Sequence, residues 1–235
     1  MNRRNFLVYA SATIGCTWVG NSESAVIRKI AIGRADQGPE GESHLLPMFP
    51  LAMVAFPGQL VLLHIFEPRY KQLIRDCDQQ GISFGISAVA DNRHAAYGTE
   101  MRLVRILKTY DSGSMDIALK GIRIFRLEKF EKISGKLYAG GLVRFQANNT
   151  TIEEDVQSAL VELYNQFQTQ QNSGKVLTGA IPDNLSFGIG HEVNLSRVQK
   201  IQLIAMPNEA DRQKFLFRHL EDVRKDLQIE PDNMI

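Results

Sequence analysis

The stretch 45-LLPMFPLAMVAFPGQLVLLHIFEPRYKQLIRDC-77 holds four structural signals in a row. Leu45, Leu46, Met48 and Phe49 make a short apolar strand, punctuated by Pro47 and Pro50. Pro57-Gly58 reads as a turn. Residues 60–66, rich in branched side chains, read as a second strand. Glu67-Pro68 then opens a helix, because proline's fixed φ is already helical and its missing N–H would be unpaired at a first helical position. Tyr70, Leu73, Ile74 and Cys77 recur at i, i+3, i+4 and i+7 as one buried stripe, and Gly81 supplies the stop.

Downstream, strands are expected over residues 83–89 and 100–110, with Asp111-Ser112-Gly113-Ser114 turning the chain into 115–119. Gly121 is read as separating that strand from 122–127, and Ser134-Gly135-Lys136 as a turn into 137–146. Many short strands with turn residues between them suggest a partly closed barrel. At Asn148-Asn149-Thr150-Thr151 the period changes. Ile152, Val156, Leu160, Leu163 and Phe167 keep to one helical face, with Glu153, Glu154 and Asp155 in its first turn. The polar tract 166–174 is expected to end this helix in a flexible connection. A second helix is expected over 183–193. Ser196 and Gln199 fit a capping box for a third that reaches Ala205 and breaks at Pro207. Asn208 starts the last helix, with Leu216, Leu220, Val223 and Leu227 as its apolar stripe.

The motif FPLAMVAFPGQLVLLHIFEPRYKQLI, with GISFGI (81–86), MDIALKGIRIFRL (115–127) and KLYAGG (136–141), resembles the substrate-binding (LON) domain at the N-terminus of ATP-dependent Lon proteases. A weaker likeness runs through 199–220, so about residues 44–228 are covered. The resemblance implies an α+β fold: a PUA-like β pseudo-barrel with one helix over 44–147, then an α-helical bundle over 148–235. It also implies a non-catalytic module that binds unfolded or tagged polypeptides, standing alone and delivering clients to a separate ATP-dependent protease in the cytosol.

Composition agrees with a folded domain without a global charge bias: 235 residues, 44% apolar, net charge +1. Residues 1–43 form an arm. Arg3-Arg4-Asn5-Phe6-Leu7 and the mildly apolar run after it, within residues 1–25, match a twin-arginine export signal, which would make the protein exported; the other reading is an extension without a targeting role. Residues 33–44, GRADQGPEGESH, read as a flexible linker. No run of eighteen apolar residues exists, so no spanning helix is expected.

Signatures of ATP or dinucleotide binding are missing from the sequence: there is no G-x-x-x-x-G-K followed by Ser or Thr and no dinucleotide fingerprint. The five histidines and two cysteines have no ligand spacing, so neither a metal nor a cofactor is expected, and Cys77 reads as a reduced core cysteine. The most distinctive polar cluster is His64, Phe66, Glu67, Arg69 and Tyr70. Either it shapes a groove for extended polypeptide, with Phe66 or Tyr70 as apolar contacts, or Glu67 and Arg69 hold the strand-to-helix corner while the aromatics pack inside. Ten basic residues against five acidic ones lie between Glu100 and Arg144. They give the alternative reading, an RNA-binding PUA-like face. Strand alternation argues against it by sending Arg102 and Arg105 to opposite faces, and likewise Arg123 and Arg126.

Overall fold

A computed structural model describes residues 42–90, 93–171 and 173–226. The arm with its arginine pair, and Leu227, lie outside the described residues. The chain divides into two compact units after Gln146.

Among the described residues the first unit holds a six-stranded antiparallel sheet: β1 (His44–Pro47), β2 (Leu60–Ile65), β3 (Phe84–Ala90), β4 (Arg93–Thr109), β5 (Met115–Lys132) and β6 (Ala139–Phe145). The order is β1-β6-β5-β4-β3, with β2 beside the first half of β5. The chain leaving β1 bends across to the far end of the sheet, where Met48 and Leu51 bridge Gly85 and Ala88 of β3. Phe49 N–H donates to the Gly85 carbonyl at 2.8 Å, so one continuous segment joins both ends and closes the pseudo-barrel. Inside it lie Phe49, Val61, Leu63, Ile65, Phe84, Ile86, Met101, Ile117 and Leu119. Burying side chains of this size contributes about 1.5–3 kcal/mol each.

The helix α1 (Pro68–Gln80) caps this core. Pro68 sits in its first turn as expected, and Gly81 ends it at φ 67°, a left-handed conformation that a Cβ would strain. Tyr70, Leu73, Ile74 and Cys77 are all buried, and Tyr70 stacks on Phe49 with centroids 3.8 Å apart. Burial pushes the Cys77 thiol up to about 12, with Asp76 and Asp78 adding to it. Asp76 completes the buried face, accepting from Lys136 Nζ at 2.8 Å and Tyr138 Oη at 2.6 Å.

Gly121 does not separate two strands. β5 runs unbroken through it, and the residue is a glycine because the 56–59 turn lies against it. Its N–H donates to the Gln59 carbonyl and its carbonyl accepts from Gly58 N–H, both at 2.9 Å. A Cβ here would stand 2.1 Å from the Phe56 carbonyl oxygen. β4 is likewise longer than the composition of 100–110 suggests, because its first half pairs with β3.

The second unit holds four helices among the described residues: α2 (Glu154–Gln170), α3 (Leu185–Glu192), α4 (Arg197–Ala205) and α5 (Glu209–Asp226). Ile152 lies before α2 and is exposed, while α2 continues into the polar tract to Gln170; Tyr164 and Gln168 join Leu160, Leu163 and Phe167 in its buried stripe. The capping box of α4 forms as read, Ser196 Oγ accepting from Gln199 N–H and Gln199 Oε1 from Ser196 N–H. The buried side of the first turn of α5 carries an ion pair that no apolar stripe announces. Arg212 and Glu209 meet at 2.7 Å with about 1% and 0% of their side chains exposed. Ser186, Gln213, Asn148 and the Met206 carbonyl satisfy the rest of both groups, with the guanidinium 4.4 Å from the Phe187 ring centre. Among the described residues, no helix is long and apolar enough to cross a membrane.

Candidate functional site

Alternation along β2 sends Val61, Leu63 and Ile65 inward and Leu60, Leu62 and His64 outward. Paired residues on neighbouring strands share a face. The register therefore builds three outward rows across β2, β5 and β4: Leu60–Lys120–Arg102, Leu62–Ala118–Arg105 and His64–Asp116–Lys108.

The third strand of these rows reaches this face through two bulges. Val104 and Leu107 have no partner on β5, because the register slips at each. An extra residue shifts the alternation by one and re-aims every side chain after it. Arg102, Arg105 and Lys108 therefore stand on one face, and the expectation that Arg102 and Arg105 oppose each other is corrected. Arg123 and Arg126, in a stretch without a slip, do lie on opposite faces. Among the described residues no carboxylate lies within ion-pair distance of Arg102, Arg105 or Lys120.

The apolar members of this region are exposed: Leu60 at 60%, Phe66 at 44%, Leu107 at 43%, with Leu62 and Val104 just below. Single exposed leucines need no explanation, but a group on the two strands that flank β5 makes this face the candidate binding surface.

At one end of the face His64 Nδ1 is hydrogen-bonded to Asp116 Oδ1 at 2.6 Å, and Tyr110 Oη donates to Asp116 Oδ2 at 2.6 Å. The hydrogen bond from Tyr110 and then that from His64 hold the Asp116 carboxyl below the usual carboxylate range, against a smaller upward push from burial. The Phe66 ring stacks on His64, centroids 6.3 Å apart, and Lys108 Nζ lies 4.5 Å from the Tyr110 ring centre.

The five residues singled out from sequence thus separate. His64 and Phe66 stand at the outer face. Tyr70 is in the core, with Arg69 4.5 Å over its ring. Glu67 precedes α1 in extended conformation; its carbonyl accepts from Tyr70 N–H and Lys71 N–H, and its Oε2 accepts from Arg69 Nε at 2.9 Å. Glu67 and Arg69 therefore fix the corner from which Phe66 projects. Leu60, Leu62, Val104 and Leu107 were missed. For the first two, the apolar side chains at both phases of LVLLHI were the available signal; for the others there was none, since a bulge is not written in composition. Among the described residues no group of three or more His, Cys, Asp or Glu is placed to hold a metal.

The family model of the ATP-dependent protease La (LON) substrate-binding domain matches residues 45–222. Two solved structures share the fold. One is a Lon N-terminal domain protein from Xanthomonas campestris, 24% identical, with TM-score 0.57, covering 80% of this chain and 99% of that one. The other is the N-terminal domain of Mycobacterium avium complex Lon protease, 14% identical, with TM-score 0.63, covering 76% of this chain and 99% of that one.

Proposed function

Because this chain belongs to the ATP-dependent protease La (LON) substrate-binding domain family, we propose that it is a non-catalytic module that captures exposed apolar segments of unfolded or tagged polypeptides. On this reading it works in the cytosol and passes its clients to a separate ATP-dependent protease. The observation that carries the reading is the outer face of β2, β5 and β4, where Leu60, Leu62, Phe66, Val104 and Leu107 are exposed together. His64 and Phe66 touch the client, and Glu67, Arg69 and Tyr70 hold them in place from behind.

The energetics suit a transient catch. Covering about 300 Å² of apolar surface on each partner takes about 600 Å² out of water and contributes roughly 15 kcal/mol at about 25 cal/mol per Å². Lost translational and rotational freedom subtracts several kcal/mol of that. Micromolar, sequence-tolerant binding follows.

The test is a titration of a fluorescently labelled, permanently unfolded polypeptide with the wild-type chain and with Leu62→Ser/Phe66→Ser. Both positions are exposed, so the variant keeps its core. Affinity is expected to fall at least tenfold, with the thermal unfolding midpoint unchanged. Equal affinity would remove this face from the reading.

A second reading, an RNA-binding face, draws on the basic residues that the two bulges align, Arg102, Arg105 and Lys108, with Lys120 beside them. It requires affinity that falls steeply with salt as counterions are released.

A further inference from the structure

The outer face is not uniformly apolar. Its β2 side carries Leu60, Leu62 and the His64–Phe66 stack; its β4 side carries Arg102, Arg105 and Lys108, with the exposed Val104 and Leu107 at the bulges between them; Lys120 and Ala118 lie between the two strands. Both outer strands are antiparallel to β5, so the two lanes run in the same direction, about 10 Å apart at the usual strand spacing. The one carboxylate in the rows, Asp116, is already held by His64 and Tyr110. The cationic lane therefore faces solvent with its charge uncompensated by a carboxylate on the same face, other than Asp116 beside Lys108.

We propose that this module selects among unfolded polypeptides, preferring segments in which acidic side chains lie beside apolar ones, with the apolar residues over β2 and the carboxylates over β4. The proposal rests on the polypeptide-binding reading and narrows its substrate class. Charge complementarity supplies the choice: opposite charges across a partly desolvated face favour the right partner and steer its approach, while a basic segment is repelled. The same face suits nucleic acid poorly. Bases need aromatic platforms, and here the exposed large apolar side chains are mostly aliphatic, while Asp116 sits where a phosphate would run.

The experiment compares three labelled, unstructured peptides with identical apolar residues, carrying Asp/Glu, Asn/Gln or Lys between them, against the full chain at low and high salt. The acidic peptide is expected to bind about tenfold tighter than the amide peptide at low salt, with the ratio approaching one at high salt. In Arg102→Glu/Arg105→Glu the order is expected to reverse in favour of the Lys peptide, while the amide peptide keeps its affinity and so reports an intact fold. Equal binding of acidic and amide peptides, or a preference that persists in the double variant, would overturn this inference and leave the polypeptide-binding reading standing. Failure of all three peptides to bind would overturn both. An oligouridylate that displaces the acidic peptide and binds more tightly would overturn it by assigning the lane to nucleic acid.

Discussion

Replacing Asp76 by alanine removes the acceptor that ties α1 to the turn before β6. In the structure Asp76 is buried and accepts from both Tyr138 Oη and Lys136 Nζ. Without it, the buried Tyr138 hydroxyl is left without its acceptor, at a cost of about 1–3 kcal/mol. Lys136 loses a charge-assisted bond worth about 1.5–3 kcal/mol, partly replaced by water because its side chain is 29% exposed. A destabilisation of about 3 kcal/mol is therefore expected at pH 7, read by urea unfolding followed by near-ultraviolet circular dichroism. Tyr138→Phe should cost about 2 kcal/mol. The double variant should lose little more than Asp76→Ala alone, because both act through one carboxylate.

The effect has a defined pH window. Burial, the largest single influence, pushes the Asp76 carboxyl up, but the hydrogen bonds from Lys136 and Tyr138 and the Lys136 charge together hold it below the ordinary value. A carboxyl lowered by folding contributes stability above its unfolded pKa of about 3.9 and loses it as pH falls through the folded value. The gap between wild type and Asp76→Ala should thus be full at pH 7 and close below about pH 4. A gap under about 0.5 kcal/mol at pH 7, one that persists unchanged in strong acid, or simple additivity with Tyr138→Phe would refute the reasoning.

Gly121→Ala places a Cβ 2.1 Å from the Phe56 carbonyl oxygen. The backbone must move and its two turn hydrogen bonds weaken, so a loss of about 3 kcal/mol or more is expected in the same urea assay. Arg212→Ala strands the buried Glu209 carboxylate, which should destabilise the helical unit by about 3–5 kcal/mol, seen as lost hydrogen-exchange protection in α2 and α5. Arg212→Met with Glu209→Gln should recover part of that loss, since the unpaired charge is then gone.

Local chemistry made residues 45–81 legible. Proline at the start of α1, glycine at its end and an i, i+3, i+4, i+7 stripe between them all depend on backbone geometry that neighbouring residues set. The Ser196–Gln199 capping box was readable for the same reason. What escaped depends on partners distant in sequence. Gly121 looked like a break because its true constraint, the Phe56 carbonyl, lies more than sixty residues away. RLVRILK looks like an ordinary alternating strand, yet two slips against β5 turn its basic residues to one side. Nothing local in the sequence marks Glu209, Arg212 and Gln213 as buried, because their burial is made tolerable only by partners such as Ser186 and Asn148. The outer face therefore became visible only with the register.

Fluorescence anisotropy of a labelled, permanently unfolded protein, titrated with the full chain at low and high salt, tests polypeptide capture most directly. The account predicts saturable micromolar binding that persists at high salt, with the polypeptide intact afterwards on a gel. Absence of binding at both salt concentrations would contradict it.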